Sequence, residues 1–262
     1  MNLTDLDFPL PEDRIAQAPL EKRDASRLLV VDRGNQTIHH TVFTRIGDYL
    51  PAGSRFIRND ARVFNARLRT RRPTGGVTEC LLVKPSGGGG DPLLWECLLR
   101  PGRRHPPGSV FGISGLFRAT VERRLDHGAF LVRFAPARAG MSVLDIAARI
   151  GDVPLPPYIQ RAHPDSCDAT DRERYQTVYA NPNRTVAAAA PTAGFHFTEA
   201  LIDALTARGA RFYDLTLHVG LGTFQPISSP RVEDHPMHTE TYEIPQATAE
   251  ALATPPDPER PR

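Results

Sequence analysis

Two histidines, His196 and His218, sit in a stretch from Val186 to Phe224 that is otherwise rich in small, hydroxyl and apolar residues. An imidazole takes or gives a proton near neutral pH, which suits it to general acid or base work. Thr192 and Thr223 add hydroxyls nearby, and Gly194, Gly220 and Gly222 let a backbone approach a ligand closely. Proton transfer on a polar small molecule is the chemistry such a set can do. One histidine alone is more often a satisfied structural residue, so the reading depends on whether the fold joins the two.

The elements around them predict that it does. Val186 to Ala190 reads as a strand of small residues ending in the sharp loop Pro191-Thr192-Ala193-Gly194. Thr198 suits the N-cap of a following helix and Gly209 its C′ stop. Arg211 to Val219 then alternates, with Tyr213, Leu215, Leu217 and Val219 on one face and Phe212, Asp214, Thr216 and His218 on the other. Strand, helix and strand at this spacing predict a parallel β-α-β unit of fixed hand. Its two outgoing loops share the edge of the sheet where open α/β sheets bind ligands. His196 and His218 are thus expected to face one crevice.

Composition narrows the class. The chain has 262 residues, 40% of them hydrophobic and 24% charged, enough for one large or two smaller globular domains. A net charge of +2 excludes a strongly basic tail but not a local patch. Only Lys22 and Lys84 are lysines, so nearly all the positive charge is arginine, a bias that a GC-rich genome explains. Cys80, Cys97 and Cys167 are widely spaced and predict neither disulfides nor a zinc site, in keeping with a reducing cytosol. The acidic start (Asp5, Asp7, Glu12, Asp13) predicts no signal peptide, and no apolar run is long enough to span a membrane.

Along the chain, Arg27 to Val31 and Phe56 to Asp60 read as strands, and Phe43 to Leu50 and Val143 to Ile150 as helices. From Val63 to about Gly151 the texture changes to short alternating runs between glycine and proline turns, which predicts an inserted all-β module, a small barrel. The four glycines from Gly87 read as a loop tip. Between Arg55 and Arg72 seven arginines face one acid, Asp60. Arg67, Arg69 and Arg71 alternate on one strand face, either to contact RNA phosphates or to blunt a solvated edge strand. Arg100, Arg103 and Arg104 form a second, weaker cluster. The run Val153 to Ile159 is stiff with proline and reads as a linker. In DRERYQTVYA, from Asp171 to Ala180, Tyr175 and Tyr179 fall on one helix face with Gln176 beside them. His235, His238 and Glu240 resemble a zinc motif, but Pro236 breaks the helical display, so no metal is expected.

Read together, PTAGFHFT and TLHVGLGTFQP resemble the signature of the S-adenosylmethionine:tRNA ribosyltransferase-isomerase family of queuosine biosynthesis. The same is true of Ile15-Ala16-Gln17, Ser26 to Val30, PLPPYI with nearby Arg161, and DRERYQTVYA. Asn59 to Val63 matches a further family element, with Ala61 in place of threonine. Phe195 stands where leucine is usual, and the run Ala187 to Ala190 is longer than the usual pair of alanines.

The resemblance implies a three-layer, Rossmann-like α/β main domain over residues 1–62 and 152–262, with a small β-barrel inserted at 63–151. It implies transfer and isomerisation of the ribosyl group of S-adenosylmethionine onto 7-aminomethyl-7-deazaguanine (preQ1) in a GUN anticodon of tRNA. Epoxyqueuosine forms, and adenine and methionine leave. The activity would be cytoplasmic and need no metal, and full-length members would be monomers. His196 and His218 become the catalytic pair, their acid and base roles unassigned. Asn59, Asp60, Arg62, Tyr158, Arg161, Tyr175, Gln176, Thr192, Gly194, Gly220, Gly222, Thr223, His235, His238 and Glu240 become the binding set. Arg67, Arg69 and Arg71 become the RNA-contacting set.

Relatives continue past the end of this chain with a further helix, strands and motifs of their own. An active enzyme completed by another chain, a truncated and inactive homologue, and an RNA-binding module are therefore all open readings. An exposed apolar sheet edge is expected to cause self-association.

Overall fold

The computed structural model describes residues 1–253 apart from 87–90, 127, 157, 162–168, 221–226, 228, 236 and 238, and of Val186 the backbone alone. The glycine loop from Gly87, Cys167, and the candidates Gly222, Thr223 and His238 lie outside the described residues.

The chain opens with 3-10 turns and an antiparallel hairpin of β1 (Arg27–Asp32) and β2 (Thr37–Val42). Asp32 Oδ1 accepts from the amides of Gly34 and Asn35, which closes the turn. A 3-10 segment, Phe43–Tyr49, leads to β3 (Arg55–Asn59) and then β4 (Arg62–Val63).

A closed six-stranded barrel follows. Its strands are β5 (Arg67–Arg71), β6 (Val77–Pro85), β7 (Leu94–Arg100), β8 (Val110–Ile113), β9 (Phe117–Arg124) and β10 (Phe130–Pro136). They pair in the order β5-β6-β7-β10-β9-β8, and β8 returns to β5 through the single partnership of Gly112 with Arg71. Alternation decides what fills the inside. Leu68, Cys80, Leu82, Cys97, Phe111, Ala119, Val121, Val132 and Phe134 are all buried in one core. Helix α1 (Val143–Ile150) closes one end, packing Val143, Ile146 and Ala147 into the same core. Ser142 and Asp145 form its capping box, which satisfies orphan amides at its start. β11 (Gly151–Asp152) then adds to the outside of β5.

Because β5 pairs on both sides, Arg67, Arg69 and Arg71 do not line an edge strand. The charge on that face is offset instead: Arg67 Nε lies 4.0 Å from Glu79 and Arg69 Nε 4.0 Å from Asp152.

The return segment holds α2 (Ala169–Arg174), β12 (Thr185–Ala187), α3 (Glu199–Ala207), β13 (Arg211–Leu217), β14 (Tyr242–Glu243) and α4 (Gln246–Ala253). Thr198 caps α3 by accepting from the Leu201 amide at 3.1 Å, and Gly209 ends it with φ +87°. Two expectations are corrected here. Helix α2 stops at Arg174, because the Arg23 guanidinium takes the carbonyls of Glu173 and Arg174; Tyr175 and Tyr179 therefore do not share a helix face. Nor do β12 and β13 form one ladder. β13 runs parallel to β3 and β12 parallel to β4, so the chain's bend between β3 and β4 divides them into two sheets. Their ends still meet, as the Ala188 amide donates to the Val219 carbonyl at 3.1 Å.

No helix among the described residues is long and apolar enough to cross a membrane.

His105 makes barrel stability depend on pH. It is 2% exposed, its Nε2 lies 3.2 Å from Thr78 Oγ1, and its ring packs edge-on to Phe111. Burial, helped by nearby Arg72, holds its pKa below the ordinary histidine value. The folded state thus keeps His105 neutral while the unfolded chain takes up a proton below about pH 6.5. Stability is expected to be flat above that pH and to fall as pH drops toward 5.5. The His105→Gln variant should lose most of that slope in thermal melts across the same window.

Candidate functional site

Thr192–His196 forms a 3-10 segment with Pro191 at its N-cap, and these residues divide between two cavities. Thr192, Phe195 and His196 face a cavity of about 300 Å³, completed by Gln17, Tyr158, Arg161, Asp171 and Tyr175. Pro191, Ala193 and Gly194 face a smaller one of about 220 Å³, bordered by Arg58, Asn59, Tyr179 and Phe212.

The larger cavity is held by side chains doing backbone work. Gln17 Nε2 donates to the Tyr158 carbonyl at 3.0 Å, and its Oε1 accepts from the Gln160 amide at 2.6 Å. The amide thereby fixes the proline-rich segment against the N-terminal arm. Arg161 donates through Nε to Asp171 Oδ2 at 2.8 Å and through a terminal nitrogen to the Gln17 carbonyl at 2.8 Å. Asp171 is only 6% exposed, so this pair is largely desolvated and its loss would leave a buried charge. Arg174 reaches back to the carbonyls of Leu20 and Glu21. Tyr175 packs edge-on to Phe195, with ring centroids 5.4 Å apart, and burial raises its phenol pKa. His196 rests against Phe43 at 5.3 Å between centroids, with its ring bordering the cavity.

Five residues named from the sequence therefore converge here: Tyr158, Arg161, Tyr175, Thr192 and His196. Gln17, Asp171 and Phe195 belong to the same wall and were missed as site residues. The signal for Asp171 was an acid at the head of the DRERYQTVYA stretch, ten residues after Arg161.

In the smaller cavity, the Arg58 guanidinium lies 4.6 Å from the Tyr179 ring centroid and 5.2 Å from that of Phe212. Its Nε pairs with Asp214. Gly194 is required there: a Cβ would stand 2.0 Å from the Tyr179 hydroxyl.

Asn59 and Asp60 form the joint between the two small sheets. Asn59 Oδ1 accepts from the amides of Ala61 and Leu217, both at 3.0 Å. Asp60 Oδ1 accepts from Thr216 Oγ1 at 2.6 Å and Oδ2 from Asn181 Nδ2 at 3.3 Å. Gln176 gives both ends of its amide to the Val63 backbone, at 3.1 and 2.7 Å. Asn59 and Gln176 position backbone, and Asp60 ties two side chains across the joint. Arg62 is exposed on β4.

His218 lies elsewhere. Its Nε2 is 3.3 Å from Glu243 Oε1, and Glu243 also pairs with Arg184. The Glu243 carboxyl is held below the usual range by His218 first and Arg184 second. The Gly220 amide donates to Glu240 Oε1 at 3.0 Å, and His235 Nδ1 is buried without a partner among the described residues. Among the described residues His218 does not line the cavity that His196 borders.

The joint sets a test. Asp60→Ala strips a charged acceptor from Thr216 and Asn181, and should cost about 2 kcal/mol in urea unfolding. Asp60→Asn, which keeps an acceptor for Thr216, should cost less.

Residues 3–259 match the profile of a family described as "Queuosine biosynthesis protein". The S-adenosylmethionine:tRNA ribosyltransferase-isomerase of Geobacter sulfurreducens is 45% identical over 252 residues, which is 96% of this chain and 70% of that protein. That of Geotalea uraniireducens is 42% identical with the same coverage. The crystal structure of S-adenosylmethionine tRNA ribosyltransferase from Thermotoga maritima is 28% identical, covering 94% of this chain and 63% of that one, with a TM-score of 0.36. The chain thus spans about 70% of these curated relatives and less than two thirds of the Thermotoga chain. It belongs to the queuosine biosynthesis protein family.

Proposed function

We propose that the cavity bordered by Tyr158, Arg161, Tyr175, Thr192 and His196 binds S-adenosylmethionine, and that the chain carries S-adenosylmethionine:tRNA ribosyltransferase-isomerase chemistry there. The observation that carries this reading is the convergence of those five residues on one space of about 300 Å³. That size falls at the lower end for small-molecule sites, which combine apolar walls with a few fixed polar groups.

The residues divide the work as follows. The faces of Tyr158, Tyr175 and Phe195 offer flat apolar surface to a purine, and their π-electrons attract a sulfonium. Arg161, locked by Asp171, presents a guanidinium of fixed orientation for the carboxylate of the methionine part. Thr192 supplies a hydroxyl to the ribose. His196 borders the cavity and exchanges a proton with the reacting sugar or the departing adenine. The sulfonium acidifies the adjoining C–H bonds, so a neutral imidazole can remove a proton there; adenine leaves more easily when it gains one.

The acceptor in this reading is preQ1 in the GUN anticodon of tRNA, and the enzyme is cytoplasmic and works without a metal, as a monomer in full-length members and with room here for a complementing chain. The organisation that goes with it is a discontinuous, three-layer, Rossmann-like α/β domain over 1–62 and 152–262, with the barrel domain inserted at 63–151. Support for the main domain comes from the parallel pairs β3–β13 and β4–β12.

Adenine release from S-adenosylmethionine, with mass analysis of preQ1-containing tRNA, tests the proposal. His196→Ala should lower kcat by about a hundredfold or more while S-adenosylmethionine still binds. Asp171→Asn should instead raise KM for S-adenosylmethionine about tenfold by loosening Arg161. A cooperatively melting wild-type sample that binds S-adenosylmethionine yet releases no adenine would reduce the chain to a binding homologue.

A further inference from the structure

The barrel carries a second concave surface, far larger than the cavity at His196. It is a groove of about 970 Å³ along the seam where β8 returns to β5. The seam has a particular construction. Arg71 of β5 is the partner of Gly112 of β8, and Gly112 is in turn the partner of Arg118 of β9. Partners across neighbouring strands point to the same face, and Arg71 and Arg118 are both exposed. Two arginine stems therefore rise about 10 Å apart, two strand spacings, with no side chain between them. The gap is enforced, because a Cβ on Gly112 would lie 2.4 Å from the Phe117 carbonyl oxygen.

The charges in this groove are unequally engaged. Arg69 sits 4.0 Å from Asp152, and Glu79, the one carboxylate in the lining, sits 4.0 Å from Arg67. Arg71, Arg72 and Arg118 have no carboxylate partner among the described residues. Arg71 donates instead to the Gly75 carbonyl at 3.2 Å, within the tight turn after β5. Exposed Val77 gives the wall an apolar patch. Planar guanidinium groups on a concave surface suit bidentate contact with phosphate oxygens, and the apolar patch suits sugar and base edges.

We propose that this groove holds the phosphate backbone of the RNA substrate, with Arg71, Arg72 and Arg118 as its phosphate contacts. Arg67 and Arg69 serve the barrel through Glu79 and Asp152. The inference rests on the tRNA reading given above, but it concerns a surface separate from the S-adenosylmethionine cavity.

Binding of an unmodified tRNA transcript, followed by fluorescence anisotropy from 50 to 200 mM salt, decides it. Removing one arginine that neutralises a phosphate lowers the slope of log K against log salt by about 0.7 to 0.9. Arg71→Ala/Arg118→Ala should therefore lose about 1.5 from the slope and about tenfold or more in affinity, with an unchanged melt and unchanged S-adenosylmethionine binding. Arg123→Ala, a charge loss at the far end of β9, should leave slope and affinity as they are. An unaltered slope in the double variant overturns the inference, and so does an equal loss in Arg123→Ala, which would mean general charge attraction. If the wild type binds no tRNA while S-adenosylmethionine binds, both this groove and the tRNA substrate fall. If the slope drops as expected but adenine is never released, the groove stands and the catalytic reading falls.

Discussion

The carboxylate of Asp60 and the amide of Asn59 sit where the chain must do two things at once. It must leave one parallel sheet and begin another; the Asp60 backbone still pairs with Leu215 and Asn181, and side chains supply the remaining bonds across the bend. Asn59 Oδ1 takes the Leu217 amide that a next strand residue would have taken, and Asp60 ties Thr216 to Asn181. Everything downstream inherits this joint. β4 leads into the barrel, β12 lies beside β4, and the turn carrying His196 starts a few residues after β12. A buried acid is tolerated there because each of its two oxygens finds a donor, Thr216 and Asn181.

The same device recurs. Gln17 serves the Tyr158–Gln160 backbone and Gln176 serves Val63, so two further side-chain amides bond to main chain as a strand would. The cavity at His196 is therefore framed by polar side chains with fixed partners and filled in by aromatic rings. Its shape is set by hydrogen-bond geometry, with packing of Phe43, Tyr175 and Phe195 completing the wall.

Much of this was legible in the sequence wherever the signal was local. The barrel was readable because alternation along each strand and glycine or proline at each turn are properties of neighbouring residues. Helix α1 and the caps of α3 were readable for the same reason, since a helical period is local and Thr198 and Gly209 act on their own first or last turn. What was not legible depended on distant partners. Helix α2 was expected to run through Tyr179, but Arg23, some 150 residues earlier, takes its last carbonyls. β12 and β13 were expected to pair because the helix between them suggested it, whereas the bend at Asp60 assigns each its own partner. Arg67 and Arg69 looked like a bare cationic face because Glu79 comes beside Arg67 only when β6 pairs with β5, and Asp152 beside Arg69 only when β11 docks there. Gln17 was visible only as part of a family motif, since its partners lie more than a hundred residues away.

The 3-10 segment Thr192–His196, with Pro191 before it, lines two cavities at once. Thr192, Phe195 and His196 belong to one side of it, Ala193 and Gly194 to the other. Gly194 shows how closely the second side is packed, since the Tyr179 hydroxyl already occupies the place of its missing side chain. The two cavities therefore share one backbone segment, and a side chain added at Gly194 is expected to displace the turn that carries His196.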